Sequence, residues 1–197
     1  SSIADISGSN GFESDNDAGG SANTPQTSAV FSNVTLVGPR ATLSNVGNSN
    51  FKRGIHMRRN SAISVFNSVV MGWPTGLLVD ASTGTPTDLN LVGATPKAVY
   101  SGNIIAGNKI QLNYTASTAA ATGWVADSLF SYINRANGGN TLLTTNDEVQ
   151  LTDPFKYDNS IDFNPLPSSP ASSGADFTHP KLATWFAATG YRGACDV

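Results

Sequence analysis

Two groups of residues have the types and spacing to act on a sugar or another anionic ligand. Glu13, Asp15 and Asp17 place three carboxylates within five positions. Oxygen ligands of this kind suit a hard cation, so these three are the candidate Ca²⁺ ligands. The stretch Lys52-Arg53-Gly54-Ile55-His56-Met57-Arg58-Arg59 packs four of the 11 basic residues into eight positions. Arg58 and Arg59, with Glu13 and Asp15, are candidate contacts to an acidic sugar. His56 is a candidate general base, because an imidazole titrates near neutral pH. Arg58 and Asp80 complete the candidate catalytic set. The same residues also fit a purely structural role, as opposite charges paired between neighbouring strands. The calcium reading lacks a motif: Asp15-Asn16-Asp17 is not followed by the Gly and Glu of an EF-hand loop.

Other chemistries find no support. There is no Gly-x-Ser-x-Gly elbow and no phosphate-binding Gly-x-x-x-x-Gly-Lys loop. His56 and His179 are too far apart in sequence to form a short metal motif, and the single cysteine, Cys195, excludes internal disulfides. A formal net charge of −3 argues against a general nucleic-acid binder. No apolar run approaches the roughly 18 residues of a membrane span. Trp73, Trp124 and Trp185 can serve either as sugar-stacking platforms or as covers over a core.

The elements that must position these groups show in a repeat. Gly54-Ile55-His56-Met57-Arg58 aligns with Gly76-Leu77-Leu78-Val79-Asp80, 22 residues on, and Gly11-Phe12-Glu13-Ser14-Asp15 has the same form. A second series runs from Phe31 to Gly38, Phe66 to Gly72 and Tyr100 to Gly107, with closing glycines 34 and then 35 residues apart. Three short strands in about 22 residues, with loop insertions near 39–50 and 81–96, predict an all-β fold: a parallel β-helix built as a single-stranded solenoid. In this register Phe12, Ile55 and Leu77 form one inner column, and Met57 and Val79 another. Glu13, His56 and Leu78 face outward, as do Asp15, Arg58 and Asp80. Asn33 and Asn67, five residues before their closing glycines, are expected as turn residues that hydrogen-bond along the stack. Ser, Thr, Asn and Gly make up 80 of 197 residues while only 13% are charged, which suits a turn-rich extracellular β-protein.

The spacing assigns residues 1–115 to β-helix and 116–197 to a C-terminal cap. Apolar positions at 125, 129, 130 and 133 predict a helix over 124–136. Pro180 and Gly190 bracket a second, over 180–188. Three prolines make 164–170 a loop.

Ser9 to Asp17, Val30 to Pro39, Arg58-Arg59-Asn60-Ser61, Phe66-Asn67-Ser68, Pro74-Thr75-Gly76-Leu77 and Tyr191-Arg192-Gly193-Ala194 resemble exported right-handed parallel β-helix proteins of Bacteroidota and related Gram-negative bacteria. That group is similar in architecture to pectate lyases. The resemblance implies a secreted or cell-surface location and, since its members typically carry more β-helix upstream, a chain matching their C-terminal part. It supplies no defined activity. Asp127-Ser128-Leu129 is similar to an O-glycosylation motif of such bacteria, which makes Ser128 a candidate acceptor. Two functions remain open: a structural or adhesive module, joined to an upstream β-helix or stacked end-to-end in a fibre, and a polysaccharide lyase-like enzyme or glycan-binding module.

Overall fold

A computed structural model describes residues 8–45, 48–117, 122–156 and 160–196. The chain makes repeated circuits through three parallel sheets. The first circuit is β1 (Ser9–Ser14), β2 (Val30–Ser32) and β3 (Thr35–Val37). The second is β4 (Phe51–Arg58), β5 (Ser64–Phe66) and β6 (Val69–Met71). The third is β7 (Thr75–Ala81), β8 (Tyr100–Ser101) and β9 (Ile104–Ala106). A fourth holds β10 (Ile110–Ala116), helix α1 (Ala126–Ile133) and β11 (Thr141–Leu143). Every third strand joins the same sheet until α1 takes a strand's place in the fourth circuit, giving the orders β1-β4-β7-β10, β2-β5-β8 and β3-β6-β9-β11.

The 22-residue register holds. Phe12 lies opposite Ile55, Ile55 opposite Leu77, and Met57 opposite Val79. Ile55, Met57, Leu77 and Val79 are buried together in the main core, where each such side chain contributes roughly 1.5–3 kcal/mol. The second series is offset by one residue from the alignment of its aromatics. Phe31 and Tyr100 both pair with Val65, whereas Phe66 pairs with Ser32 and Ser101. A one-residue step moves a side chain to the opposite face. Phe31, Val65 and Tyr100 therefore enter the main core, and Phe66 packs outside it with Val99 and Leu182.

Glycine and asparagine recur for two different reasons. Asn33, Asn67, Gly102 and Gly139 form a corner column with φ of 56°, 48°, 71° and 61°, the left-handed region these residues tolerate best. Gly11, Gly54 and Gly76 do not have left-handed backbones. A Cβ on Gly11 would lie 2.5 Å from the Gly54 carbonyl oxygen, one on Gly54 2.8 Å from that of Gly76, and one on Gly76 2.7 Å from that of Gln111. These glycines let successive circuits approach.

The expected polar stack exists, one residue further along than Asn33 and Asn67. The Val34 N–H donates to Ser68 Oγ, the Ser68 N–H to Asn103 Oδ1, and the Asn103 N–H to Asn140 Oδ1, each at 3.0 Å. Asn33 and Asn67 instead hold the C-terminal segment. Asn67 Nδ2 donates to the Asp176 carbonyl, the Asp176 N–H donates back to Asn67 Oδ1, and Asn33 Nδ2 donates to the Tyr191 carbonyl.

The C-terminal region departs from the expected cap. α1 is shorter than 124–136, and its Leu129 and Ile133 enter the main core. β11 extends the parallel sheets to Leu143. Beyond it, β12 (Leu151–Asp153) and β13 (Asp162–Pro165) pair antiparallel, so the expected 164–170 loop begins in a strand. Pro165 is tolerated there because it ends a two-stranded ribbon. The helix expected over 180–188 is only a 3-10 turn, Pro180–Leu182. So short a helix is marginal by itself, and this segment is held instead by single anchors: Leu182 is buried against Phe66 and Val99, with Phe177 and Phe186 beside it. Val149, Ala171, Leu151 and Phe155 likewise cover the outward side chains Val69, Met71, Ile104 and Ala106. Much of this region thus lies along two sheets rather than across one end.

The two glycine environments predict different mutational costs. Gly54→Ala places a methyl 2.3 Å from Val70 Cγ1 and should destabilise by about 1–3 kcal/mol. Gly190→Ala meets nothing within 4 Å and should stay within about 0.5 kcal/mol of the parent. Urea unfolding of the two variants checks the contrast.

Candidate functional site

The charged candidates lie on the sheet β1-β4-β7-β10. Glu13 is opposite His56, His56 opposite Leu78, and Arg58 opposite Asp80. The column Glu13, His56 and Leu78 is therefore real, and so is the pair Arg58 and Asp80, while Asp15 lies just past the end of β1 and outside the paired register. Their side chains pair with one another.

Arg58 Nη1 lies 2.9 Å from Glu13 Oε1 and its Nε 3.1 Å from Asp15 Oδ1. Arg59 Nη1 takes the other oxygen of Asp15, at 3.1 Å. Glu13 also accepts from Asn10 Nδ2 at 2.6 Å. Two guanidinium groups and two carboxylates thus neutralise each other between β1 and the end of β4. All four are partly exposed, so each pair contributes at most about 1 kcal/mol.

His56 and Asp80 form a second unit. Although His56 alternates with core residues Ile55 and Met57, it is only 3% exposed. Its Nε2 lies 3.3 Å from Asp80 Oδ2, and its Nδ1 is buried without a hydrogen-bond partner among the described residues. Asp80 Oδ1 accepts from the Ser82 N–H at 2.9 Å, the Ser82 hydroxyl at 2.5 Å and the Thr115 hydroxyl at 2.9 Å. Partial burial opposes ionisation of Asp80, but the hydrogen bonds from His56 and Ser82, with that from Thr115, outweigh it and hold the carboxyl well below the usual range. A general base must reach its substrate's proton. In this geometry Nε2 is spent on Asp80 and Nδ1 is enclosed.

The three expected calcium ligands do not gather. Glu13 and Asp15 are engaged by arginines, and Asp17 closes its own loop. Asp17 Oδ1 accepts from the Gly19 and Ser21 N–H groups, and its Oδ2 from the Ser21 hydroxyl. These bonds, led by the Ser21 hydroxyl, lower the Asp17 pKa. Among the described residues no three His, Cys, Asp or Glu side chains group so as to hold a metal ion. Ser128 lies in the first turn of α1, where its hydroxyl accepts from the Val125 N–H at 3.0 Å.

The tryptophans divide. Trp73 is buried and donates to the Leu36 carbonyl. Trp124 lies between Tyr114 and Tyr132. Trp185 is 90% exposed and covers no core. Asp88 escaped the sequence reading. It is fully buried, accepts from the Tyr114 and Thr122 hydroxyls, and leaves Oδ1 without a partner among the described residues. Burial and Asp88 together push the Tyr114 phenol up to about 12. No local signal could have found this pair, because Asp88 reads as loop and Tyr114 is 26 positions away. A cavity of about 350 Å³ lies elsewhere, lined by residues of 41–44 and 145–147, and none of the charged candidates borders it.

Stacked parallel sheets with every third strand in register define a β-helix class of protein. A family model for the pectate-lyase-like β-helix domain matches residues 2–148, and the chain belongs to that family. The match ends close after β11, the last strand of the parallel sheets. No curated protein and no solved structure shows a significant match. Among the described residues no helix is long and apolar enough to cross a membrane.

The Asp80 cluster makes stability depend on acid in a defined direction. A carboxyl whose folded-state pKa is depressed stabilises above its unfolded value, about 3.9, and that gain is lost as pH falls through the folded value. Asp80→Asn should lower the thermal midpoint at pH 7. Its deficit against the parent should shrink below about pH 4. Thermal melts of both proteins across pH 2–7 provide the check.

Proposed function

We propose that this chain is a non-catalytic structural module of a secreted or cell-surface protein, its circuits wound as a right-handed solenoid. The observation that carries this reading is the closure of the candidate site on itself. Arg58 and Arg59 are matched to Glu13 and Asp15, and buried His56 is matched to Asp80. A lyase-type mechanism would need at least one of these bases free and open to solvent. The test is incubation with acidic polysaccharides, with and without a Ca²⁺ chelator, following the ultraviolet absorbance of unsaturated products. The parent should match a His56→Ala/Arg58→Ala variant, with no product from either. Chelator-sensitive product formed by the parent and lost in the variant would overturn the reading.

Trp185 supports a second reading, a glycan-binding role. An indole left 90% exposed between the anchors Leu182 and Phe186 offers a flat face for a sugar ring. On this reading Trp185→Ala abolishes retention on immobilised polysaccharide without moving the thermal midpoint. Equal retention of parent and variant counts against it.

A further inference from the structure

We infer that the edge formed by β1, β2 and β3 is a docking surface for one further circuit of parallel β-strands, carrying a glycine opposite Gly11. The inference rests on the structural reading and names the partner that such a module takes.

The two ends of the sheets differ. β1, β2 and β3 each end their sheet on the same side, so their outward N–H and C=O groups have no strand partner among the described residues. The inner residues of this circuit, Phe12, Phe31 and Leu36, are only partly buried, whereas Ile55, Val65 and Val70 of the second are 2% exposed or less. Phe12 and Phe31 stack with ring centroids 4.4 Å apart, an aromatic pair at the end of the core. At the opposite end β10 and β11 also end their sheets, and Leu112, Tyr114 and Leu142 are likewise only partly buried, but there α1, with Leu129 and Ile133 fully buried, stands where the sheet β2-β5-β8 would take its next strand.

The glycine column sets the polarity and chemistry of the partner. The Cβ position of each member points at the carbonyl of the next circuit: Gly11 at Gly54, Gly54 at Gly76, Gly76 at Gln111. The contact is one-way. The last member, Gln111, faces no following circuit and carries a side chain. A circuit placed before β1 would meet the Gly11 carbonyl as Gly11 meets that of Gly54, so it must have glycine there. It must also turn its corner with a left-handed residue, continuing Asn33, Asn67, Gly102 and Gly139. A second copy stacked head-to-tail fails the first requirement, because it would bring Gln111 against Gly11. It would also present α1 where β2 needs a strand, which argues against a simple head-to-tail fibre. The side-chain ladder stops at Val34, whose side chain offers no acceptor, so strand pairing and close glycine contact carry the junction.

The test is hydrogen exchange on the unmodified chain and on a chain whose residues 1–8 are replaced by a duplicate of residues 51–74. In the unmodified chain the amides of β1, β2 and β3 should exchange at least about tenfold faster than those of β5 and β6. In the extended chain they should slow to the rates of β5 and β6. A Gly54→Val change in the duplicate alone should abolish the slowing while leaving the rest of the chain folded. First-circuit amides already protected in the unmodified chain would overturn the inference. So would an extension that does not slow them, or a valine-bearing duplicate that slows them equally. These outcomes are independent of activity on polysaccharide, so failure here is distinguishable from failure of the structural reading.

Discussion

The structure depends on how closely successive circuits approach. Parallel strands must lie about 4.8 Å apart to bond, and at Gly11, Gly54 and Gly76, within β1, β4 and β7, no room remains for a β-carbon. The glycine column therefore does more than permit turns. It sets the spacing at which β1, β4, β7 and β10 share hydrogen bonds and at which Ile55, Leu77, Met57 and Val79 close a dry core. Left-handed backbone is needed at a different place, the corner column of Asn33, Asn67, Gly102 and Gly139.

A parallel stack also has to satisfy backbone groups at its corners, where the strand ladder is interrupted. Ser68, Asn103 and Asn140 do this by accepting the N–H of the preceding circuit. Buried polar groups of this kind are favourable only when fully paired. Asn103 meets the condition: its Nδ2 donates to the Val65 carbonyl while its Oδ1 accepts from Ser68. The sheets are then thickened from outside. The C-terminal segment places Phe155, Val149 and Ala171 over one sheet and Leu182 and Phe177 over another. Its end is tied back across the circuits, with Arg192 donating to the Thr141 hydroxyl, the Gly193 N–H to the Asn67 carbonyl and the Ala194 N–H to the Thr35 hydroxyl.

This arrangement explains the charged face. With few charges available, those on neighbouring strands sit at the spacing where opposite signs pair directly or diagonally. Arg58 reaches back to Glu13 on β1 and to Asp15 just after it, and His56 reaches forward to Asp80 on β7. A site assembled from adjacent strand positions competes with its own members. Exposed Trp185 has no such competitor.

The sequence by itself determined the circuit length, the parallel pairing of the Gly-initiated strands and the alignment of Glu13 with His56 and of Arg58 with Asp80. A strand has a period of two, and a stacked repeat converts sequence offset directly into spatial neighbours. It also located α1, whose apolar spacing is local. It did not distinguish Phe66 from Phe31, since a one-residue slip of an aromatic leaves the composition unchanged but reverses the face. Which oxygen each arginine takes, the burial of His56, the Asp88–Tyr114 contact and the path of residues 144–196 along the sheets were decided only by tertiary structure. The last two depend on contacts outside the repeat, where no register is imposed and the outcome is set by which surfaces remain to be covered; the first two depend on side-chain placement that a strand register alone does not specify.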